Sequence, residues 1–413
     1  RRRVFKGQAG DITTARTRAF RSSAATEDSS MEPTPVKTEQ RNTSIAYGEA
    51  LILKLFRQIE DGINPDVEMG LFLTEKAPVS LVSPVAGTME YRRTRGKRTS
   101  LAVLQVFIPN EGDAWQYTVD SLDQYFQQVL VHPTVQVPPI SQRHVLALLK
   151  QPPALAAETI GPYLLSAQLL GSRTAELHVA LASARDDPDF APEPFSVMYQ
   201  NSLYHAMRSA ATRTLQLLRE NLEQLPEESS EDARRVLDAK DSILSHFRLL
   251  RNRKMTASRM RCHGDYHLGQ VLYTGKDFVI IDFEGDPSRP LSERRIKRSP
   301  LADVAGMIRS FQHAAYSTLL HRSALGLRPE DLPALEYWVQ FWCIWTSSAF
   351  LASYLDGVRK ARLLPDDAEQ MRVLLDAYLL DNAISETSYA LVEGPEGLKP
   401  PLRGILQILE AEV

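Results

Sequence analysis

Residues 263–287, HGDYHLGQVLYTGKDFVIIDFEGDP, constrain this chain more than any other stretch. Asp265 sits in a short His-Gly-Asp turn, Gln270 follows five residues later, and Asp282 closes the apolar run 278–281. Thr274 and Gly275 mark a turn between the halves, so the stretch reads as loop, strand, tight turn, strand, loop. Such a hairpin brings the Asp265 loop and the Asp282 loop to one end. Two carboxylates and an amide oxygen converging there make a hard-cation site with one carboxylate left over as a base. A lone HGD is weak, because Gly-Asp is a common turn, and a lone Asp after apolar residues is an ordinary strand end. Together, with Gln270 at ligand spacing, they point to phosphoryl transfer, which needs positioning and charge neutralisation. One carboxylate orients and deprotonates an acceptor hydroxyl, while the other and the amide hold Mg²⁺ against nucleotide phosphates. Glu284, two residues past Asp282, is either a second metal ligand or a solvated acid.

The rest of the chain limits the alternatives. Its 413 residues exceed what one core usually serves, so two or three sub-domains are expected. A net charge of −3 gives no electrostatic case for a nucleic-acid partner. Two cysteines, Cys262 and Cys343, exclude a disulfide framework and a Cys-rich zinc site, and fit a reducing cytoplasm. No signal peptide is visible, since RRRVFKGQAGD lacks an apolar core; a start without Met reads as the C-terminal part of a longer polypeptide. The uncharged run 337–355, YWVQFWCIWTSSAFLASYL, is interrupted by polar residues and carries its aromatics mid-run, so it reads as a buried helix and not a membrane span.

Residues 1–20 hold two short patches that read as a hairpin, and 21–41 are Ser/Thr/Glu/Pro-rich and read as a linker. From 42 the sequence NTSIAYGEALILKLFRQ reads as two strands turned at Gly48. Asn64-Pro65-Asp66 starts a helix with Val67, Leu71 and Leu73 on its buried side. Two strands over 85–92 and 100–109, joined by a basic turn, complete a small strand-rich lobe ending at 110. Lys54 is a charge inside an apolar strand. It is either a solvated edge residue or a phosphate-pairing lysine held by a helix carboxylate, for which Glu68 is available. Acids in a first turn also simply complement the helix dipole. The order strand lysine, helix glutamate, acid loops favours the functional reading.

Beyond 110 the pattern is helical: 114–131, 165–184, 202–223, 232–251 and 301–322, then the aromatic helix and a last pair ending in PPLRGILQIL. His263 and His267 are four apart, but Gly264 breaks any helix between them, so zinc ranks well behind a role for His263 in bracing the loop. Trp338, Phe341, Trp342 and Trp345 share one helical face, as core or as a platform for the C–H face of a sugar.

This arrangement resembles the aminoglycoside phosphotransferase/choline kinase-like branch of the protein-kinase-like fold, and within it the maltokinases. NTSIAYGEALILKLFR, VLQVFIPNEGDAWQY, LLGSRTAELHVAL, HGDYHLGQVLYTGKDFVIIDFEGDP, SPLADVAGMIRSF and PPLRGIL carry the resemblance, which covers roughly 42–410. It implies an α+β bilobal fold, with an antiparallel N-lobe sheet and one helix over 42–110, a helical C-lobe over 111–413, and residues 1–20 as the remnant of an N-terminal cap sub-domain. It implies transfer from ATP, with Mg²⁺, to C1 of maltose, giving maltose 1-phosphate for α-1,4-glucan synthesis, and association or fusion with a trehalose synthase. By resemblance Asp265 is the catalytic base, Gln270 and Asp282 hold magnesium with Glu284 near it, and Lys54 paired with Glu68 meets the ATP phosphates. Asn42, Thr43 and Ser44 lie at the phosphate-covering turn, Gln105, Val106, Phe107 and Ile108 at the adenine hinge, and Asp303 braces the catalytic loop. His267, Trp345, Glu386, Tyr389 and Arg403 are the candidate sugar contacts.

Two features depart from the family. The cap is short, and YALVEGPEG over 389–397 stands where relatives tend to read like YELNNRPDW, which bears on sugar selectivity and not on phosphotransfer. The rival readings are a kinase of another sugar, aminoglycoside or amino alcohol, and a non-catalytic kinase-like module that regulates a fused enzyme. An acid-rich acceptor pocket would favour an amino acceptor; aromatics and neutral hydrogen-bonding groups would favour maltose.

Overall fold

A computed structural model describes residues 2–22, 31–36, 41–93, 96–131, 144–149, 151–252, 254–324, 332–394 and 397–411. Seven strands, β1 (Arg3–Lys6), β2 (Gly10–Arg16), β3 (Pro33–Pro35), β4 (Thr43–Tyr47), β5 (Leu51–Leu55), β6 (Val85–Arg93) and β7 (Arg98–Val106), form one antiparallel sheet in the order β1-β2-β6-β7-β5-β4-β3. Gly48, at φ +55°, turns β4 into β5 and sets Ser44 opposite Lys54. Residues 1–20, read as what is left of a cap, supply the β1–β2 hairpin, and β2 continues the sheet by pairing with β6 from Gly10↔Arg93 to Arg16↔Gly87.

The linker reading of 21–41 needs correction at one place. Pro33–Pro35 is an edge strand paired with β4, which proline permits only because an edge needs no second row of N–H donors. Residues 23–30 and 37–40 of that stretch, and 94–95 of the basic turn, lie outside the described residues.

The helix Pro65–Leu71 begins as the sequence predicts, with the Asn64 side chain accepting from the Asp66 N–H and proline in the first turn. It drops Val67 onto Phe56, Val85 and Val103, a small core of its own between helix and sheet. The large core lies in the helical lobe. There Leu332–Val358 crosses Tyr163–Leu181 so closely that a Cβ at Gly171 would stand 2.1 Å from the Phe350 carbonyl oxygen. The expected 232–251 helix is two, Glu227–Asp238 and Lys240–Asn252, meeting at Ala239. Among the described residues no helix is long and apolar enough to cross a membrane.

The hairpin Val271–Tyr273/Phe278–Ile280 is antiparallel and turns at Gly275. It is clamped between the lobes: Ile280 N–H donates to the Leu81 carbonyl at 2.8 Å, and Glu111 N–H to that of Tyr273 at 2.8 Å.

Candidate active site

The hairpin does what its sequence requires. The Ile281 N–H donates to the Gln270 carbonyl at 3.0 Å, and His263 Nε2 meets the Ile281 carbonyl at 2.9 Å, so the two loops close on each other. His263 Nδ1 accepts from the Asp265 N–H at 3.4 Å. Gly264, at φ +83°, supplies a conformation that a side chain would oppose. Asp282 adopts the left-handed region too, at φ +63°, without being glycine. Such strain persists only where surroundings enforce it, and it turns the carboxylate into the interlobe space.

Asp303, in the first turn of the helix Leu301–Ala324, accepts from the His263 N–H at 2.7 Å, the Gly264 N–H at 3.0 Å and His178 Nε2 at 3.0 Å. Burial would raise its pKa, but these donors outweigh it and hold the carboxyl below the ordinary aspartate value. Hydrogen bonds through His263 and Asp303 thus tie the Asp265 loop to the Ile281 carbonyl and to the helix Leu301–Ala324.

Lys54 reaches from β5 into a nest of acids: Asp282 at 2.5 Å, Glu284 at 2.7 Å and Asp66 at 3.2 Å. Burial favours the neutral amine, yet Asp66, Asp282 and Glu284 overcome it and keep Lys54 charged. Asp282 is held below the usual carboxylate range, its own burial being outweighed by Lys54. Asp66 goes the other way: burial pushes it up, and Lys54 offsets this only partly against Asp282 and Glu284. Asp66 also accepts from the Phe283 N–H at 3.2 Å, tying helix, lysine and loop together.

The expected Lys54–Glu68 pair is not formed. The lysine's helix partner is Asp66, while Glu68 accepts from Arg261 at 2.6 Å and from Arg295 Nε at 3.1 Å. Residues two apart on a helix point about 200° apart, so only one acid can face the sheet.

Gln270 hydrogen-bonds Asp282. Carboxylate oxygens of Asp66, Asp282 and Glu284 lie within 4.8 Å of one another. This all-oxygen donor set fits a hard divalent cation such as Mg²⁺. From the N-lobe turn, the Asn42 amide donates to Glu284 at 2.6 Å and Arg41 stands 3.9 Å from Asp265; Thr43 is exposed and Ser44 buried. Gln105 and Val106 end β7, and the Phe107 N–H donates to the Ala50 carbonyl at 3.0 Å; 105–108 join the lobes without lining the cavity over Asp265.

That cavity, about 1360 Å³, runs from Arg41 and Asp265 to the helix Ala368–Glu393. Burial raises the Asp265 carboxyl, with His267 and His263 opposing. His267 lines the cavity, and burial lowers its pKa in spite of Asp265. Glu386 faces the cavity but is taken by Arg309 at 2.6 Å, and Tyr389 stands exposed at the rim.

Two expected sugar contacts are misplaced. Arg403 pairs with Asp232 at 2.7 Å outside the cavity, because its helix turns that face to Glu227–Asp238. Trp345 packs against the core beside Phe341, and Trp338 and Trp342 are buried, so the aromatic stripe is packing.

The tryptophan that lines the cavity is Trp115, tilted against His313 with ring centroids 5.4 Å apart. It follows the 105–113 crossover, beside the hairpin, which a one-residue signal in a helix start does not reveal. Asp381, also missed, lines the cavity, and among the described residues no hydrogen bond or ion pair holds it. Burial pushes its carboxyl up to about 6, Arg289 and Arg298 offsetting only part.

Residues 148–285 match the Phosphotransferase enzyme family (APH). A glucosamine kinase of Mycolicibacterium smegmatis (strain ATCC 700084 / mc(2)155) is 52% identical over 54 residues, 13% of each chain. A glucosamine kinase of Streptacidiphilus jiangxiensis is 26% identical over 216 residues, 52% of this chain and 43% of the relative. The matches thus span less than half the length of either relative. Among solved structures, a glucosamine kinase in complex with glucosamine, ADP and inorganic phosphate superposes with TM-score 0.67 at 17% identity, over 98% of this chain and 93% of that one. Crystal form B of a glucosamine kinase gives 0.66 at 19% identity, over 98% and 95%. The chain therefore has the bilobal α+β fold of these kinases.

Proposed function

We propose that this chain is a kinase that moves the γ-phosphoryl group of ATP to a hydroxyl of a small sugar. The observation that carries it is the cluster in which Lys54 meets Asp66, Asp282 and Glu284, with Gln270 on Asp282, adjoining through Glu284 the cavity that Asp265 also lines. Intactness of this set argues against a non-catalytic module. Lys54 would meet the nucleotide phosphates, with the turn 42–44 above them and 105–108 beside the base. Gln270, Asp282 and Glu284 would hold Mg²⁺, which neutralises phosphate charge when bound. Asp265 accepts the proton of the acceptor hydroxyl as its oxygen attacks phosphorus and ADP leaves. Burial raises its pKa, which makes it a better proton acceptor than an ordinary aspartate.

The resemblance in sequence supports maltose, phosphorylated at C1 for α-1,4-glucan synthesis, as the acceptor, with a trehalose synthase as the neighbouring source of maltose and the cytoplasm as the site of action. An amino sugar is the second reading. The kinases named above favour it, and so does Asp381: Glu284, Asp286 and Glu386 of the same cavity are engaged by Lys54, Arg289 and Arg309, whereas among the described residues no ion pair holds Asp381. A ligand ammonium would give Asp381 the partner it lacks.

The test is ADP release and sugar phosphate formation with maltose, glucosamine and glucose, repeated with Asp265→Asn and Asp381→Asn. Maltose turnover indifferent to Asp381→Asn supports the first acceptor. Glucosamine turnover whose KM rises at least tenfold in that variant supports the second. Phosphorylation that survives Asp265→Asn undiminished would remove the assigned base, and no transfer to any sugar would remove the kinase reading.

A further inference from the structure

The helix that carries Asp66 has a second face that the phosphate end does not use. Glu68, Phe72 and Lys76 recur every four residues as Pro65–Leu71 passes into a π-helical turn over Phe72–Lys76, where the Ala77 N–H bonds back to the Phe72 carbonyl at 3.0 Å. A π-turn is wider than an α-turn and keeps residues about four apart in line.

Each member of this stripe meets the helical lobe. Glu68 accepts from Arg261 at 2.6 Å and from both Nε and a terminal nitrogen of Arg295. Phe72 lies flat on Phe190, with centroids 3.8 Å apart and planes 9° apart. Lys76 stands 2.6 Å from Asp187. Arg261, buried, also lies over the Phe190 ring at 5.6 Å. The acidic loop that bears Asp187 and Phe190 is pinned from behind by Lys297, which donates to the carbonyls of Pro188 at 2.6 Å and Ala191 at 2.8 Å and pairs with Glu193 at 2.8 Å.

Both ends of this contact adjoin the chemistry. Glu68 follows Asp66, the partner of Lys54, by two residues, and Arg261 precedes Asp265 by four on the extended run into the His-Gly-Asp turn. We propose that the Glu68–Phe72–Lys76 stripe, clasped by Arg261, Arg295 and the 187–193 loop, fixes the Lys54–Asp66 pair relative to Asp265, making Glu68 and Arg261 positioning residues for phosphoryl transfer. The inference rests on the kinase reading of the cleft. A carboxylate held by two guanidiniums, one of them the buried Arg261, resists displacement and so couples the helix to the run that leads into Asp265.

Misplacing reacting groups by about 1 Å can cost about 100-fold in rate. Glu68→Gln is therefore expected to lower kcat for sugar phosphorylation by about 10- to 100-fold, with Arg261→Lys in between. Calorimetric nucleotide binding should keep its stoichiometry and change its Kd less than about threefold, because the phosphate contacts are intact. The ratio of ADP formed to sugar phosphate formed should rise above that of the unmodified chain, since water tolerates a loose geometry better than a positioned hydroxyl. A kcat left unchanged overturns the proposal, and so does a kcat that falls in step with nucleotide-binding stoichiometry, which would mean lost fold and not lost position.

If the unmodified chain phosphorylates no sugar, the kinase reading fails, and hydrogen exchange decides the clasp separately. Faster exchange of the 263–266 amides in Glu68→Gln, with 399–410 unchanged, supports it; unchanged exchange at 263–266 overturns it.

Discussion

Asp303 offers the sharpest measure of how the Asp265 loop is held. Asp303→Ala removes the acceptor for three buried donors: the His263 and Gly264 amides and His178 Nε2. An unsatisfied buried donor costs about 1–3 kcal/mol, and partial relaxation around a small side chain returns some of it, so the loss should be about 3–5 kcal/mol. Asp303→Asn keeps one carbonyl oxygen and should lose about half of that. Guanidinium unfolding followed by tryptophan fluorescence reads the difference as a lowered midpoint at constant slope. The pH dependence has a fixed sign. The folded carboxyl lies below its ordinary value, so its contribution is full above about pH 4, near the unfolded aspartate pKa, and is lost as pH falls through the folded one. The gap between Asp303→Ala and the unmodified chain should therefore be level from pH 5 to 8 and narrow only in acid. An Asp303→Ala midpoint equal to that of the unmodified chain at neutral pH would refute the assigned hydrogen bonds as anchors of the loop.

Three further outcomes are expected. Lys54→Met leaves Asp66, Asp282 and Glu284 facing one another, so the chain should unfold about 3–5 kcal/mol more easily, and added Mg²⁺ or Ca²⁺ should restore more stability than it gives the unmodified chain; equal metal responses would count against the oxygen cluster as a cation site. Activity should fall as pH drops through an Asp265 pKa above the ordinary aspartate value of about 3.9, because the protonated carboxyl cannot accept a proton; an acid limb at or below that value in the kcat/KM profile would contradict the burial seen here. Trp115→Ala should raise the sugar KM at least about tenfold with nucleotide Kd unchanged, whereas Trp345→Leu should leave sugar KM alone; the opposite pattern would return the platform to the aromatic helix.

What the sequence reveals and conceals follows from the range of each interaction. The 263–287 hairpin is legible because its strands, turn residues and acids are close in the chain, and the pairing of Gln270 with Asp282 follows once the strands are placed. The Asn64-Pro65 helix start is legible for the same reason: the cap is a local hydrogen bond. Long-range choices are not. Trp345 and Trp115 are equally aromatic, and only the packing of Leu332–Val358 against Tyr163–Leu181 consigns the first to the core while the hairpin leaves the second beside the cleft. Asp381 sits inside an unremarkable helical pattern, and its burial near Arg289, which Asp286 already engages, and Arg298 is a fact of long-range packing. Pro33–Pro35 reads as linker by composition because an edge strand leaves so little mark on a sequence.

The exchange of roles between Asp66 and Glu68 carries the largest consequence. Val67 between them points into the small core, so the two acids flank it on opposite sides of the helix. Asp66 then faces Lys54 and the Phe283 amide, while Glu68 faces Arg261 and Arg295. One helical turn thereby holds both loops of the 263–287 stretch, the Asp282 side through Asp66 and the Asp265 side through Glu68. The division is measurable by hydrogen exchange. Asp66→Asn should quicken the amides of 282–284 and spare those of 263–266, and Glu68→Gln should do the reverse, each by about 10-fold for about 1.4 kcal/mol of lost local stability. Equal quickening of both loops in either variant would mean that the helix acts through general lobe stability, and the separate tethers would have to be abandoned.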